Sequence, residues 1–305
     1  MNNTNLAIIA IVIVIPLVSF VVYASDSTIQ QNTVNSNLQV ITSFYPLYEF
    51  AQKVGQDKVD VILLVPMGVE PHDWEPTIQD VQRMQKADLI VINGLGFESW
   101  IEHLSEINFH GNIIDTSTGI IKTDMLDSPE DPRDHSHASG DPHIWLNPVL
   151  AKIQVQNIAD AFSKHDPQNE KFYQLNAENY KNELDSLDTK IRTELSSCSH
   201  DFIAFHDAFS YFAREYGLNQ HTIIPSNNPH AEPTARTLED VINTAKEFDL
   251  KIIFTEETAD SRTAEIISNA INGRVLVLSP IEIGNDGSYI SRMTENLNNL
   301  KEALC

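Results

Sequence analysis

NEKFYQLNAENYKNELDSLDTKIRTEL, residues 169–195, reads as one long helix whose apolar face is spaced by Phe172, Leu175, Tyr180, Leu184, Leu187 and Ile191. Asp166-Pro167 just upstream offers an N-cap followed by proline at the first helical position. A helix of about 30 residues is about 45 Å long, enough to act as a strut between two lobes. On either side of it, short apolar runs alternate with helical patterns. Before it, strands are expected at 38–42, 59–65 (VDVILLV), 88–93 and 112–115, with helices at 45–54, 77–87 and 98–107. A further helix, 149–164, leads into the long one. After it, strands at 201–205, 221–225, 251–255 and 274–278 are separated by helices at 208–216, 238–248 and 263–271, and a helix at 289–304 closes the chain. Near-continuous apolar strands alternating with helices predict parallel sheets covered on both faces. The expected architecture is α/β: two (β/α) lobes at 38–148 and 198–305, linking helices at 149–197 with one long rigid backbone helix, and a cleft between the lobes.

The chain has 305 residues, a length suited to two lobes, and a formal charge of −23. Such an acidic chain lacks the basic patches that nucleic acid requires. It attracts cations, although an acidic surface also serves solubility. The first 25 residues contain no Lys, Arg, Asp or Glu, and an apolar run extends from Leu6 to Val22. Residues 1–24 therefore read as a signal peptide ending in Ala24 or as an uncleaved membrane anchor. No cysteine follows the run, which excludes a bacterial-type lipid anchor, and residues 25–37 form a polar tether. Either way the remainder is expected outside the cytoplasm, at the extracellular face of the membrane. Cys198 and Cys305 can form one disulfide there or remain as two free thiols; their spacing does not decide.

In open α/β sheets, ligands bind at the carboxyl ends of strands. His206 follows the strand ending at Phe205, and Glu282 lies just beyond the strand ending at Leu278. His72 occupies the loop after Val65. His143 comes off the long loop 122–142, stiffened between Pro142 and Pro148 beside Asp141 and Trp145. Three imidazoles and a carboxylate suit Zn2+; copper or nickel would accept them, and Mn2+ prefers more oxygen. Each residue also has a plainer reading. His206 can cap the following helix, while His72 and His143 can be ordered loop residues bonded to backbone carbonyls.

The stretches PHDWEP (71–76), NGLGFESW (93–100), DPHIWLNP (141–148), FHDAFSYFAREYGL (205–218) and LSPIE (278–282) resemble the zinc/manganese group of solute-binding proteins that serve ABC importers. The similarity runs from about Val40 to the C-terminus, with the motifs in the family's order. It implies two lobes with four-stranded parallel sheets, joined by a rigid helix, and a metal in the cleft. His72, His143 and His206 match the family's three ligand histidines, and a histidine at the third position implies zinc over manganese. Some relatives use an aspartate where this chain has Ser279, whereas others use a glutamate three residues later, here Glu282. Asp286 or a water is the reserve for that fourth place. Asp141, Asp207 and Glu75 are candidates to orient the imidazoles, with helix capping as the alternative for Asp207. Trp74, Trp100 and Trp145 are read as packing, and Glu232, Pro233 and Glu256 as structural. His135 and His137, with Asp131 and Asp134 nearby, form either a weak collecting site or a solvated loop, and His230 is an extra imidazole beside the cleft.

The resemblance implies a monomeric carrier that captures Zn2+ and hands it to an ABC permease and its ATPase. An adhesin on the same scaffold is the alternative, and a zinc hydrolase ranks below both. The chain contains no H-E-x-x-H, G-x-S-x-G or Gly-rich phosphate loop, so no enzyme is expected.

Overall fold

The computed structural model describes residues 37–107, 109–121, 141–224, 233–257 and 261–305. In the first half, β1 (Leu38–Thr42), α1 (Tyr45–Gly55), β2 (Val59–Leu63), α2 (Ile78–Met84), β3 (Leu89–Ile92) and β4 (Asn112–Asp115) build a parallel sheet in the order β2-β1-β3-β4. All four residues of β3 are buried because the sheet is covered on both faces. Ile41, Ile90 and Ile92 pack with Met84 and Trp100 on one side. Their alternate neighbours Val40, Leu89 and Val91 point the other way, into a cluster with Phe50, Val155 and Ile158. The expected helix at 98–107 is instead a 3-10 helix, Ser99–Ile107.

The second half repeats this topology without repeating the sequence. Strands β5 (Asp201–His206), β6 (Asn219–Ile224), β7 (Ile252–Thr255) and β8 (Arg274–Val277) pair in parallel in the order β6-β5-β7-β8. Helix α5 (Ser210–Tyr216) follows β5, α6 (Ala235–Glu247) and α7 (Ser261–Ala270) follow β6 and β7, and α8 (Tyr289–Leu304) closes the chain. Ile203 and Ile253 meet Val241, Ala245, Ala264 and Ile267 on the outer face. Phe202, Ala204 and Phe254 face inward toward Met293, Leu297 and Leu300. In each sheet the strand order reverses between the first and third strands, which is where such sheets hold ligands.

Helices α3 (Pro148–His165) and α4 (Glu170–Leu195) join the halves. Asp166 does not start the long helix as expected. Its carboxylate accepts from the Tyr173 hydroxyl at 2.6 Å and the Asn169 amide at 2.6 Å, which holds a 3-10 turn at Pro167–Asn169. Helix α4 thus has 26 residues, about 39 Å. Its buried face also departs from the apolar reading. Tyr173, Asn176 and Ala177 continue the stripe of Tyr180, Leu184, Leu187 and Ile191, whereas Leu175 is 61% exposed. Asn176 is tolerated inside because its amide donates to the Val54 carbonyl at 3.0 Å. The strut is not free-standing: its apolar face and side chains from both sheets belong to one continuous core. Cys198, just beyond α4, forms a disulfide with Cys305 at the end of α8.

Among the described residues no helix is long and apolar enough to cross a membrane. The expected apolar segment 1–24 lies outside the described residues, as do the tether up to residue 36, Asp131, Asp134, His135, His137, His230 and Glu232.

Candidate metal centre

His206 is the last residue of β5. Its backbone N–H and its ring Nδ1 both address Glu256 Oε1, at 3.3 and 2.5 Å, and Glu256 directly follows β7. The parallel neighbours β5 and β7 therefore place this pair at the switch point of their sheet. An ionised carboxylate only accepts, so Nδ1 carries the proton and Nε2 turns its lone pair inward.

His143 is oriented in the same way. Asp141 Oδ1 accepts from its backbone N–H at 3.0 Å and from Nδ1 at 2.7 Å. Pro142 precedes it, and a short 3-10 turn, Ile144–Leu146, follows. Asn147 then caps α3, accepting from the Val149 and Leu150 amides. Trp145, fully buried, donates through Nε1 to the Pro280 carbonyl at 2.7 Å and so stitches this turn to the one carrying Glu282.

His72 comes from the loop after β2, with its amide on Glu70 Oε1 at 3.3 Å and its ring edge-on to Phe97 at 4.9 Å. Glu282 sits beyond β8 in a turn whose preceding residue, Ile281, has φ +60°. A left-handed β-branched residue costs on the order of 1–3 kcal/mol and persists where its surroundings over-determine it. Ile281 is wholly buried, and its amide is held by Ser279 Oγ at 3.1 Å.

These four residues converge. Each offers one donor atom, and all four atoms lie within 4.8 Å of one another. Glu282 Oε1 is 3.2 Å from His143 Nε2, 3.3 Å from His72 Nε2 and 3.8 Å from His206 Nε2, while His206 Nε2 and His143 Nε2 are 3.3 Å apart. A tetrahedral ion with bonds of about 2.0–2.1 Å separates its ligand atoms by about 3.3–3.4 Å. His143, His206 and Glu282 are buried, and the His72 side chain, 12% exposed, is the face open to solvent.

The charges inside this pocket are mutually dependent. Burial opposes charging His143, yet the Asp141 carboxylate and then Glu282 raise it to about 10. Burial likewise opposes the Glu282 charge, but His72 and His143 hold its carboxyl well below the usual range. Glu70 on the rim is pushed up to about 8 by burial and by the Glu282 charge.

All four residues expected as ligands are brought together, and the reserve is not among them: Asp286 is exposed, and Ser279 turns toward α8. Two of the three expected orienting acids act elsewhere. Asp207 accepts from Ser210 Oγ at 2.8 Å and Glu75 is exposed. Glu256, expected to be structural, is instead the acid that orients His206. Its place immediately after the apolar run 252–255 was the available signal.

Residues 40–303 match the family model of the zinc-uptake complex component A, periplasmic (ZnuA). The chain is 38% identical over 284 residues to the high-affinity zinc uptake system protein ZnuA of Bacillus subtilis, covering 88% of each. It superposes on the metal-dependent lipoprotein YcdH of Bacillus subtilis with a TM-score of 0.74 at 37% identity, covering 88% of this chain and 99% of that one. It also superposes on the laminin-binding protein Lmb of Streptococcus agalactiae, described as bifunctional with adhesin and metal transporting activity, with a TM-score of 0.79 at 29% identity over 88% and 99% of the two chains.

Proposed function

Because the chain belongs to the ZnuA family of zinc-uptake components, we propose that it captures Zn2+ outside the cytoplasm and delivers it to an ABC importer. His72, His143, His206 and Glu282 are the proposed ligands. The observation that supports this reading is the convergence of their four donor atoms within 4.8 Å of one another, with three of the pairs at 3.2–3.3 Å, close to the edge of a zinc tetrahedron. Three neutral imidazoles and one carboxylate also favour zinc over manganese, which takes more oxygen. The histidines come from the first sheet's loops and from β5, and the carboxylate from the turn after β8, so a bound ion joins elements of both halves. The permease would read that junction.

Four protein donors close the tetrahedron, whereas a hydrolytic zinc keeps a position for water. The site is accordingly read as a carrier site and not as an enzyme's. The likeness to Lmb keeps adhesion as a second activity of the scaffold. The apolar N-terminal segment would hold the carrier at the outer face of the membrane or release it after export.

A competition titration of zinc against manganese on the metal-stripped protein tests the proposal. One tight equivalent of zinc, retained in excess manganese, supports a zinc carrier. Displacement by manganese would transfer the proposal to that metal, and binding of neither would leave adhesion as the leading reading.

A further inference from the structure

The turn that presents Glu282 has an unusual number of ties. The Ser279 carbonyl accepts from Asn296 Nδ2 at 2.7 Å, and the Ser279 amide donates to Asn296 Oδ1 at 2.8 Å. The Pro280 carbonyl takes Trp145 Nε1, and the Gly284 carbonyl takes the Gly68 amide at 3.2 Å. Arg292 on α8 closes the arrangement from below. Its Nη1 donates to the Ile283 carbonyl at 2.6 Å, and its Nη2 donates to Ser279 Oγ at 2.8 Å and to Glu257 at 2.7 Å. The guanidinium is buried and lies 5.6 Å from the Tyr45 ring centre.

These bonds bracket the left-handed residue. Ser279 Oγ receives Arg292 on one side and the Ile281 amide on the other, so the hydroxyl passes the constraint to the strained position. Ile281 in turn sets the direction in which Glu282 leaves the backbone. A buried arginine whose fork spans the residues before and after a ligand is more than packing: relaxation of φ at Ile281 would swing the carboxylate away from the three imidazoles.

We propose that Arg292, acting through Ser279 Oγ and the Ile283 carbonyl, is the positioning residue that holds Glu282 in the metal site. This rests on the zinc-carrier reading above. The fork is needed because it addresses three acceptors with two nitrogens in one plane, which the single ammonium of lysine does not reproduce. Orienting groups of this kind are worth about 10–100-fold in metal affinity.

The test is a double-mutant cycle on zinc affinity with the unaltered protein, Arg292→Lys, Ser279→Ala, Glu282→Gln and the two combinations with Glu282→Gln. Cobalt-substituted samples report the ligand field by their visible absorption. The expected result is about a 10–100-fold loss in Arg292→Lys and in Ser279→Ala with a changed cobalt spectrum, and a further loss below about threefold when either is placed on Glu282→Gln. Ser279→Ala removes only a hydroxyl, so it carries the test if Arg292→Lys does not fold. Affinity within about threefold of the parent in the folded single variants, or an equal loss on the Glu282→Gln background, would overturn the proposal. If Glu282→Gln itself binds zinc as the parent does, the ligand assignment falls and this inference with it.

Discussion

At His143 a proton occupies the place proposed for the metal ion, and their competition gives the proposed site a pH dependence with a definite sign. Asp141 and Glu282 raise its pKa from 6.5 to about 10 despite burial. In the metal-free protein this pairing stabilises the fold fully below about 6.5 and is lost as pH climbs through about 10. Zinc binding must expel the same proton, so apparent affinity should rise about tenfold per pH unit between roughly pH 7 and 9. Isotherms at several pH values check this; a flat profile would mean that His143 is already neutral. The orienting acids separate equally sharply. Glu256→Gln should weaken zinc binding about 10–100-fold, whereas Asp207→Ala, which loses only a bond to Ser210, should leave it unchanged. The four proposed ligands were legible as candidates because each lies at a strand end or in a proline-stiffened turn. Glu256 was harder to see because its role depends on the pairing of β5 with β7, which brings together positions 50 residues apart in sequence. Its place after an apolar run marks a strand end, but the partner across the sheet is not encoded locally.

Among the elements, the turn after β3 is tightly constrained. Glu98 accepts from the Ser43 hydroxyl and from the Asn93 and Gly94 amides, closing the end of β3 onto the end of β1. Gly94 has φ +86°, and a Cβ there would lie 2.1 Å from Asp115 Oδ1. Gly94→Ala should therefore destabilise the protein by about 2 kcal/mol or more, read as a lower urea midpoint. A midpoint equal to the parent's would show that the turn has room to shift. The apolar strands were legible as elements, but burial on two faces holds for the central strands β3 and β7, whereas the edge strands β2, β4 and β8 stay partly open. Helix α4 shows where such reading stops. Its period was visible, but the face was assigned partly through Phe172 and Leu175, while the buried stripe runs through Tyr173, Asn176 and Ala177. A polar residue that satisfies its amide on Val54 looks like surface in the sequence and is core in the fold.

For the molecule as a whole, the two sheets, α4 and α8 share a core, and the disulfide between Cys198 and Cys305 closes a span of 107 residues around the second half. Replacing both cysteines by serine should cost about 2–5 kcal/mol of stability. Zinc affinity should not change, because Cys198 lies before the start of β5 and His206 ends it, about 20 Å away along the strand. Thermal melts with and without zinc, together with a zinc titration, separate the two effects; weakened binding would mean that the C-terminal staple reaches the cleft. The central claim is that one ion is held by three imidazoles and one carboxylate drawn from both halves. Zinc K-edge X-ray absorption on the protein loaded with one equivalent tests it most directly. The account predicts four nitrogen or oxygen neighbours at about 2.0–2.1 Å with outer-shell scattering from three imidazoles. Six neighbours at longer distance, or scattering from fewer than three imidazoles, would contradict it.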